Sequence, residues 1–360
     1  IHRDASDSWT LHRLFCMESR GIKIIVEKNI PFFKGLLDDV AEIEYLAPGD
    51  ITAEAVKDID AIVTRTRTRC DKNLLDDSRC SLIASATIGL DHVDVDWCEK
   101  NGIEVKNAPG CNAPAVAQYV FASLLSLGID LTGKCLGVIG AGNVGKIVAG
   151  WGRQLGMRVL VNDPPRALAE GNGEFVSLET IAAEADVITF HTPYTKNSPF
   201  ATHHLLDSRF VDSLQRKPVV INSARGGVTD TQALINGVAS GKISRLIIDC
   251  WECEPEISRQ LLDIADIATP HIAGYSLQGK LRASYTAARV VAGKFNLKMK
   301  TVPEMLYLPE KVTAQDIKES YDPVKDTVAL KNSPEKFESL RNNYQLRTEV
   351  LFPDNNKTVN

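Results

Sequence analysis

The sequence predicts an α/β protein with two parallel-sheet domains, and three observations support this. Short apolar runs alternate with helical stretches from residue 22 to about 108, as is typical of a parallel sheet. The alternation begins again at Cys135 and continues to Ala268. A glycine-rich turn at 140–145 lies between the first strand and the first helix of this second series. Because parallel strands need crossover connections, the second series favours a doubly wound sheet.

The elements of the first series are short apolar runs separated by polar stretches. Strands are predicted at 22–26, 42–46, 61–64, 82–86 and 103–106. We expect helices between them, for example at 31–39 and 52–57. The stretch 113–127 has apolar residues on most helical faces, which predicts a buried crossover helix.

The second series has the same strand–helix order and is longer. Strands are predicted at 135–139, 158–161, 187–190, 219–221, 246–248 and 264–268. The helix after the glycine turn is expected at 144–155, and a long helix at 276–295 returns the chain to the first domain. The tail, 296–360, is rich in charge and proline, with a helix expected at 334–344.

Composition limits the possible classes of protein. The chain has 360 residues and a net charge of −5, which gives no general attraction to nucleic acid or anionic membranes. No apolar run is long enough to cross a bilayer. Residues 1–16 lack the apolar core of a secretory signal, and we interpret 1–21 as a tag remnant or extension. We therefore expect a cytoplasmic protein that binds neither nucleic acid nor membrane.

The glycine turn G-A-G-N-V-G matches the dinucleotide fingerprint in its expected strand–turn–helix context. Gly140 permits the tight turn, Gly142 lets the backbone approach a pyrophosphate, and Gly145 allows close packing of helix on strand. The amides of Asn143 and Val144 direct the positive end of the helix at the phosphates. Asp163 ends the next strand, where its carboxylate would bind the adenosine ribose and repel a 2′-phosphate. NAD is therefore predicted over NADP, although Arg166 lies close by.

Three polar residues follow later strands of the same series. They are Arg225 in I-N-S-A-R-G-G, Glu254 in D-C-W-E-C-E-P and His271 in T-P-H-I-A-G-Y. Residues beyond the carboxyl ends of parallel strands face the ligand crevice. Arginine can bind a substrate carboxylate through two hydrogen bonds, and glutamate beside histidine prepares the imidazole for proton transfer. With a nicotinamide cofactor, this set predicts oxidation of a hydroxy acid.

A basic edge follows a strand of the first series, where Arg65, Arg67 and Arg69 alternate with threonines. Arg65 and Thr66 lie nearest the strand end and are the better candidates for binding an anion, whereas a solvated edge is an equal alternative for Arg67 and Arg69. Thr87 ends the next strand and could donate hydrogen bonds. Such donor capacity would suit a phosphate as well as a carboxylate.

The cysteines show no disulfide framework. Cys250 and Cys253 form C-W-E-C, but a zinc or redox site would need a second pair or nearby histidines. We interpret them as bystander thiols and predict no metal.

Taken together, six motifs resemble the D-isomer-specific 2-hydroxyacid dehydrogenases over residues 22–295. In chain order they are T-I-G-L-D-H-V-D, G-A-G-N-V-G, H-T-P, N-S-A-R-G, D-x-x-x-x-E-P and P-H-I-A-G. The stretches A-P-G-C-N-A, N-D-P-P-R and H-I-A-G-Y, and the tail F-E-S-L-R-N-N-Y-Q-L-R-T-E, are similar to a subfamily that oxidises a phosphorylated sugar acid. Gln118, where the family usually has Glu, and Thr66, where Ser is common, depart from the pattern.

The resemblance implies a flavodoxin-like substrate domain at 22–108 and 276–295, an NAD-binding Rossmann domain at 109–275, and a small α+β dimerisation domain at 296–360. It implies a homodimer. Catalytic roles fall on Arg225, Glu254 and His271. Substrate contacts fall on Thr66, Thr87 and Tyr275, with Arg347 of the tail as a phosphate ligand. NAD contacts fall on Asp163, Thr192, Ser223, Ala224, Asp249 and Gly274.

Other functions remain open at this point. The substrate could be another 2-hydroxy acid, such as 3-phosphoglycerate or glycerate. Formate dehydrogenases share the architecture but pair histidine with glutamine, so Glu254 argues against that activity. An NAD-sensing corepressor of the same fold is the alternative from another class.

Overall fold

A computed structural model describes residues 21–299 and 309–350, so the expected extension at 1–21 lies outside the described residues except for Gly21. The described chain forms two compact units. Unit 1 comprises 21–111 and 280–299, and unit 2 comprises 112–279 and 309–350. The expected limits at 108/109 and 275/276 lie three and four residues from the unit boundaries at 111/112 and 279/280, and the three-domain division stays a prediction. No helix among the described residues is both long and apolar enough to span a membrane.

Unit 1 is built on a five-stranded parallel sheet in the order β2-β1-β3-β4-β5. Its strands are β1 (Lys23–Glu27), β2 (Glu42–Leu46), β3 (Ala61–Thr64), β4 (Leu82–Ser85) and β5 (Glu104–Lys106). Its short helices are α1 (Lys72–Leu75) and α2 (Val95–Lys100), with a 3₁₀ turn at Pro48–Asp50. The β3 and β4 residues are buried throughout, as expected for central strands covered on both faces.

The helices expected at 31–39 and 52–57 are wrong, because both stretches form turns. Phe32 and Gly35 have positive φ values of 61° and 87°, which a right-handed helix excludes. The Gly35 N–H donates to the Asp38 carboxylate, so a local side chain replaces a helical partner. At the second stretch, the Thr52 hydroxyl accepts from the Ala55 N–H and favours a turn in the same way.

Unit 2 contains a six-stranded parallel sheet in the order β11-β10-β9-β8-β6-β7. Its strands are β6 (Cys135–Ile139), β7 (Arg158–Asn162), β8 (Val187–Phe190), β9 (Val219–Asn222), β10 (Arg245–Ile248) and β11 (Ile267–Ala268). The strand expected at 264–268 is shorter, because Ile264 still belongs to a helix. The strand order reverses at β6, so a ligand crevice is expected beyond the carboxyl ends of β6 and β8.

Helices cover this sheet. They are α3 (Ala113–Ser126), α4 (Asn143–Gln154), α5 (Pro164–Glu170), α6 (Leu178–Glu184), α7 (Ser208–Ser213), α8 (Thr231–Ala239) and α9 (Arg259–Ile264). Helix α3 is buried on nearly all faces, as its composition predicts. Helix α10 (Leu277–Phe295) follows, and its later turns bury Ala287, Ala288 and Val291 in the core of unit 1.

The described tail contains α11 (Ala314–Ser320), α12 (Pro323–Asn332), a 3₁₀ turn (Pro334–Lys336) and α13 (Phe337–Asn342). Ile317 and Tyr321 join the apolar cluster of α3, while Leu330 and Phe337 join the cluster on the other side of the sheet. Residues 309–350 therefore pack as part of unit 2 rather than as a third unit. Within this range there is no β-strand, only a bridge between Ser276 and Arg347, so an α+β tail is not seen in the described residues.

Candidate active site

The glycine turn has the geometry that the fingerprint requires. Gly140 has φ +94°, and a Cβ there would lie 2.7 Å from the His191 carbonyl oxygen. A Cβ at Gly145 would overlap the Gly140 carbonyl, so α4 packs directly on the turn. Gly142 is the N-cap of α4 and has open space beside it. The amide groups that follow, of Asn143 and Val144, belong to the first turn of α4 and can receive an anion.

Asp163 caps α5 at the end of β7. Its carboxylate accepts hydrogen bonds from the Ala141 N–H at 2.8 Å and the Arg166 N–H at 3.1 Å, which joins it to the glycine turn. The Arg166 guanidinium donates to both oxygens of Glu170 and to the Ala141 carbonyl. Arg166 is therefore already paired and does not weigh against NAD, whereas the contact of Asp163 with the adenosine ribose stays a prediction.

Two polar atoms at neighbouring strand ends are buried without a hydrogen-bond partner among the described residues. They are Thr192 Oγ1, just after β8, and Ser223 Oγ, just after β9. Buried hydroxyl groups are normally paired, so unpaired ones at the predicted ligand crevice would suit contact with a ligand. Both were predicted NAD contacts. Together with the open glycine turn, they fit a dinucleotide bound beyond the carboxyl ends of these strands.

His271 and Glu254 form a direct contact. His271 Nδ1 lies 2.8 Å from Glu254 Oε2, and Glu254 Oε1 accepts the Trp251 N–H at 2.8 Å. His271 itself has a positive φ of 55°, and its backbone N–H donates to the Asp249 carbonyl at 2.9 Å. A carboxylate that accepts from Nδ1–H leaves Nε2 as the proton-accepting atom of a neutral imidazole. The structure therefore brings this predicted pair together.

The electrostatic environment keeps Glu254 ionised. Burial would raise its pKa, but the hydrogen bond and charge of His271, the Trp251 N–H and the charge of Arg341 together hold the pKa below its usual value. The carboxylate thus remains available to stabilise a positive imidazolium on His271.

Asp249 is buried beneath this pair. Its carboxylate accepts hydrogen bonds from the Thr269 hydroxyl and the Ile272 N–H, both at 2.7 Å, and from the Ala273 N–H at 3.0 Å. Burial raises its pKa despite these donors. Asp249 therefore fixes the loop that contains His271, and its expected contact with NAD stays a prediction.

Arg225 follows β9 and is exposed, with Nη1 donating to the Ala224 carbonyl at 2.8 Å. The Asn222 side chain donates to the Arg225 carbonyl and orients this loop. Gly274 is needed for packing, because a Cβ there would overlap the Asn112 side chain. The substrate contact expected of Arg225 and the NAD contact expected of Gly274 both stay predictions.

Arg347, expected as a phosphate ligand, is a buried structural residue, so that expectation is wrong. All five N–H groups of its guanidinium donate within unit 2: Nε to Gln118, Nη1 to Ile272 and Tyr275, and Nη2 to Ala115 and Ala273. The guanidinium also stacks 4.3 Å from the centre of the Tyr321 ring. Gln118 supplies the acceptor for Nε and donates to Ser320 and Thr348, which explains an amide at this position.

Arg341, a tail residue that was not predicted as a site residue, lies beside Glu254 and Tyr275. Its Nε donates to the Tyr275 hydroxyl at 3.3 Å, and its Nη1 lies 3.8 Å from Glu254 Oε2. The residue lies in the quoted F-E-S-L-R-N-N-Y segment, but no local pattern distinguishes it from Arg347. The contact depends on residues far away in the chain.

In unit 1, a buried glutamate organises the basic edge. Glu27 accepts hydrogen bonds from the Thr64 and Thr68 hydroxyls and from the Arg65 N–H. The Thr87 hydroxyl contacts the Arg65 carbonyl at 3.1 Å, so Arg65, Thr66 and Thr87 share one region of this unit. Arg69 is exposed and pairs with Asp71, as expected of a solvated edge. Glu27 was not identified from sequence, because an acidic residue at a strand end has many possible roles.

The thiols of Cys250 and Cys253 are both free, the first buried and the second exposed. Three or more His, Cys, Asp or Glu side chains placed close together could bind one metal ion. Across residues 21–299 and 309–350 there is one such set, Cys250, Glu254 and His271, whose potential ligand atoms lie within 4.8 Å of one another. Because His271 and Glu254 already bind each other, this grouping coincides with the proton-transfer pair.

Comparison with known proteins places this site in a family. Residues 116–273 match the model of the D-isomer specific 2-hydroxyacid dehydrogenase, NAD binding domain. The chain belongs to the D-isomer specific 2-hydroxyacid dehydrogenase family. It is 45% identical to an erythronate-4-phosphate dehydrogenase of Bacteroides thetaiotaomicron, over 91% of this chain and 97% of that protein. An erythronate-4-phosphate dehydrogenase of Porphyromonas gingivalis is 37% identical, over 90% and 92% of the two chains.

Solved structures agree on the fold. The D-lactate dehydrogenase of Aquifex aeolicus, complexed with NAD and lactic acid, aligns with a TM-score of 0.62 and 28% identity over 76% of this chain and 95% of that one. The NAD⁺-bound 3-phosphoglycerate dehydrogenase of Entamoeba histolytica has a TM-score of 0.64 and 23% identity over 77% and 96%, and shows the fold alone.

Proposed function

We propose that this protein catalyses the NAD-dependent oxidation of 4-phospho-D-erythronate at C2, giving (3R)-3-hydroxy-2-oxo-4-phosphooxybutanoate. This reaction belongs to pyridoxal 5′-phosphate biosynthesis. The observation that supports it most is the 2.8 Å contact between His271 and Glu254. It occurs in a chain that is 37–45% identical to erythronate-4-phosphate dehydrogenases over about nine-tenths of its length.

His271 is the general base in this mechanism. Its Nε2 accepts the proton of the C2 hydroxyl, because Nδ1 is engaged by Glu254. Glu254 then stabilises the imidazolium, and its lowered pKa ensures that it is charged when this happens. The glycine turn at 140–145 and Asp163 would hold NAD, which would supply the acceptor for the C2 hydrogen as hydride. The C2–H bond breaks as the C2–O double bond forms, so electrons and protons balance.

Arg225 binds the substrate carboxylate and polarises the C2 oxygen. A guanidinium suits this role because it can give two parallel hydrogen bonds to a carboxylate. Its exposure in unit 2 and its position at the end of β9 leave it accessible to a ligand. Thr66, Thr87 and Tyr275 are further candidates for substrate contact, each assigned by resemblance.

The alternatives receive less support. The relatives at 37–45% identity are erythronate-4-phosphate dehydrogenases, not enzymes of 3-phosphoglycerate or glycerate. A corepressor has no need of a histidine–glutamate pair held for proton transfer. We also propose a cytoplasmic homodimer formed through the tail. Val324 and Val328, four residues apart on α12, are 41% and 53% exposed and would suit such an interface.

The experiment is a side-by-side assay of NADH formation with purified protein. We expect 4-phospho-D-erythronate to be oxidised with a much higher kcat/KM than 3-phosphoglycerate or glycerate. His271→Asn should reduce kcat by about 10²–10⁴-fold, because general-base catalysis is lost. Full turnover by this variant would disprove the role of His271, and preference for 3-phosphoglycerate would disprove the substrate.

A further inference from the structure

Arg341 occupies an unusual position for a charged side chain. It lies at the end of α13, and only 29% of its side chain is exposed. Around it are the hydroxyl of Tyr275, the carboxylate of Glu254 and the carboxylate of Glu338 on its own helix. Burial of a guanidinium is unfavourable unless its N–H groups find acceptors.

The contacts that Arg341 makes do not use all the hydrogen-bond donors of its guanidinium group. The hydrogen bond from Nε to the Tyr275 hydroxyl is 3.3 Å long, at the weak end of the range. Nη1 lies 3.8 Å from Glu254 and 3.6 Å from Glu338, distances of ion pairs without a direct hydrogen bond. Within the described parts of the chain, Nη2 donates no hydrogen bond. Most donors of a half-buried cation are thus available to an anion.

The tail also holds the tyrosine that borders this cation. The Tyr275 ring packs edge-on against Tyr344, with centres 6.2 Å apart, and the Tyr275 carbonyl accepts from Arg347 at 3.1 Å. The hydroxyl of Tyr275 and the guanidinium of Arg341 are therefore held side by side by one segment of chain. Both can donate hydrogen bonds to the same ligand oxygen atoms.

The position of Arg341 relative to the proton-transfer pair suggests which anion it binds. Glu254 links Arg341 on one side to His271 on the other. The proposed reaction assigns the substrate carboxylate to Arg225, so the phosphate is the anionic group of the substrate that remains for Arg341. A phosphate dianion is the strongest acceptor for a guanidinium with free donors.

We propose that Arg341 binds the phosphate of the substrate together with the Tyr275 hydroxyl, and that it determines selectivity for phosphorylated over phosphate-free 2-hydroxy acids. The proposal rests on the function proposed above. Arg341 acts within its own subunit, and Glu338 partly neutralises it when no phosphate is bound. Its charge also acts on Glu254, so its loss affects both kinds of substrate to some extent.

The test compares kcat/KM for 4-phospho-D-erythronate and D-erythronate in the wild type, Arg341→Ala and Arg341→Lys. We expect Arg341→Ala to lower the ratio of the two values by about ten- to a hundredfold, the usual effect of losing hydrogen bonds to a charged group. The ratio should fall less in Arg341→Lys, because lysine keeps the positive charge although it lacks the planar pair of donors. Added guanidinium should restore the kcat/KM of Arg341→Ala for 4-phospho-D-erythronate more than its kcat/KM for D-erythronate.

Lys336→Ala is the matched control, because it removes an exposed cation from the same segment, and its ratio should not change. An equal loss on both substrates in Arg341→Ala would overturn the proposal and leave Arg341 as a support of Glu254 alone. An unchanged ratio would overturn it as well. If the wild type oxidises neither 4-phospho-D-erythronate nor D-erythronate, the proposed function itself is wrong, and the role of Arg341 falls with it. If Arg341→Ala does not fold, the ratio in Arg341→Lys decides.

Discussion

Arg347 and Arg341 lie six residues apart in the tail, yet the structure gives them opposite surroundings. Arg347 is 8% exposed and gives all five N–H groups to acceptors in unit 2. Arg341 is more exposed and makes one long hydrogen bond. Arg347, whose donors are all paired, stabilises the fold, whereas the unpaired donors of Arg341 could bind a ligand.

The contrast extends to the acidic residues nearby. Asp326 accepts the Tyr321 hydroxyl at 2.7 Å near Arg347, and burial raises its pKa despite that donor and the charge of Arg347. Glu254, near Arg341, has a lowered pKa although burial opposes it. The surroundings of Asp326 thus shift its pKa toward the neutral acid, whereas those of Glu254 shift its pKa toward the carboxylate.

The largest predicted effect concerns stability. Arg347→Met should lower the free energy of unfolding by several kcal/mol, because it leaves five acceptor contacts around a buried side chain without a donor, and an unsatisfied buried polar group costs about 1–3 kcal/mol. Arg341→Met should cost no more than about 1 kcal/mol, as for a partly exposed ion pair. Urea denaturation of the two variants measures this difference. Equal losses would show that the two arginines are not distinguished by their hydrogen bonds.

A smaller effect concerns pH. Glu254 has a lowered pKa in the folded state, so its stabilising contribution is present above the unfolded pKa of about 4.3 and is lost as pH falls. Asp326 has a raised pKa, so the folded state is favoured at low pH and loses that advantage as pH rises. We compare each variant with wild type from about pH 3 to 7. Asp326→Asn should gain relative stability as pH rises above about 4. Glu254→Gln should be less stable than wild type at neutral pH and should lose this deficit as pH falls below about 4.3, where wild type loses the contribution of its carboxylate. Thermal unfolding across this range tests the sign, and parallel slopes would contradict it.

Local signals in the sequence were sufficient for much of the fold. The glycine turn at 140–145, the aspartate that follows β7 and the strand ends that contain Arg225, Glu254 and His271 all depend on residues close in the chain. The apolar periodicity wrongly predicted helices at 31–39 and 52–57. There, side chains such as Asp38 and Thr52 accept hydrogen bonds from backbone N–H groups and favour turns.

The two tail arginines could not be assigned in this way. Arg347 contacts Ala115, 232 residues away, and Arg341 contacts Tyr275, 66 residues away. Which arginine faces the proton-transfer pair depends on how α11, α12 and α13 pack against α3 and the sheet, and no short segment encodes that. The tail motif contains both arginines, and the role expected for Arg347 was placed on the one that the structure buries.

In the proposed reaction, His271 and Glu254 support removal of hydrogen from C2 of a phosphorylated hydroxy acid. The most direct measurement is mass spectrometry of the NADH formed from 4-phospho-D-erythronate with deuterium at C2. We expect the deuterium to appear in the NADH and the organic product to be the 2-oxo acid. Unlabelled NADH, or a product oxidised at another carbon, would contradict it.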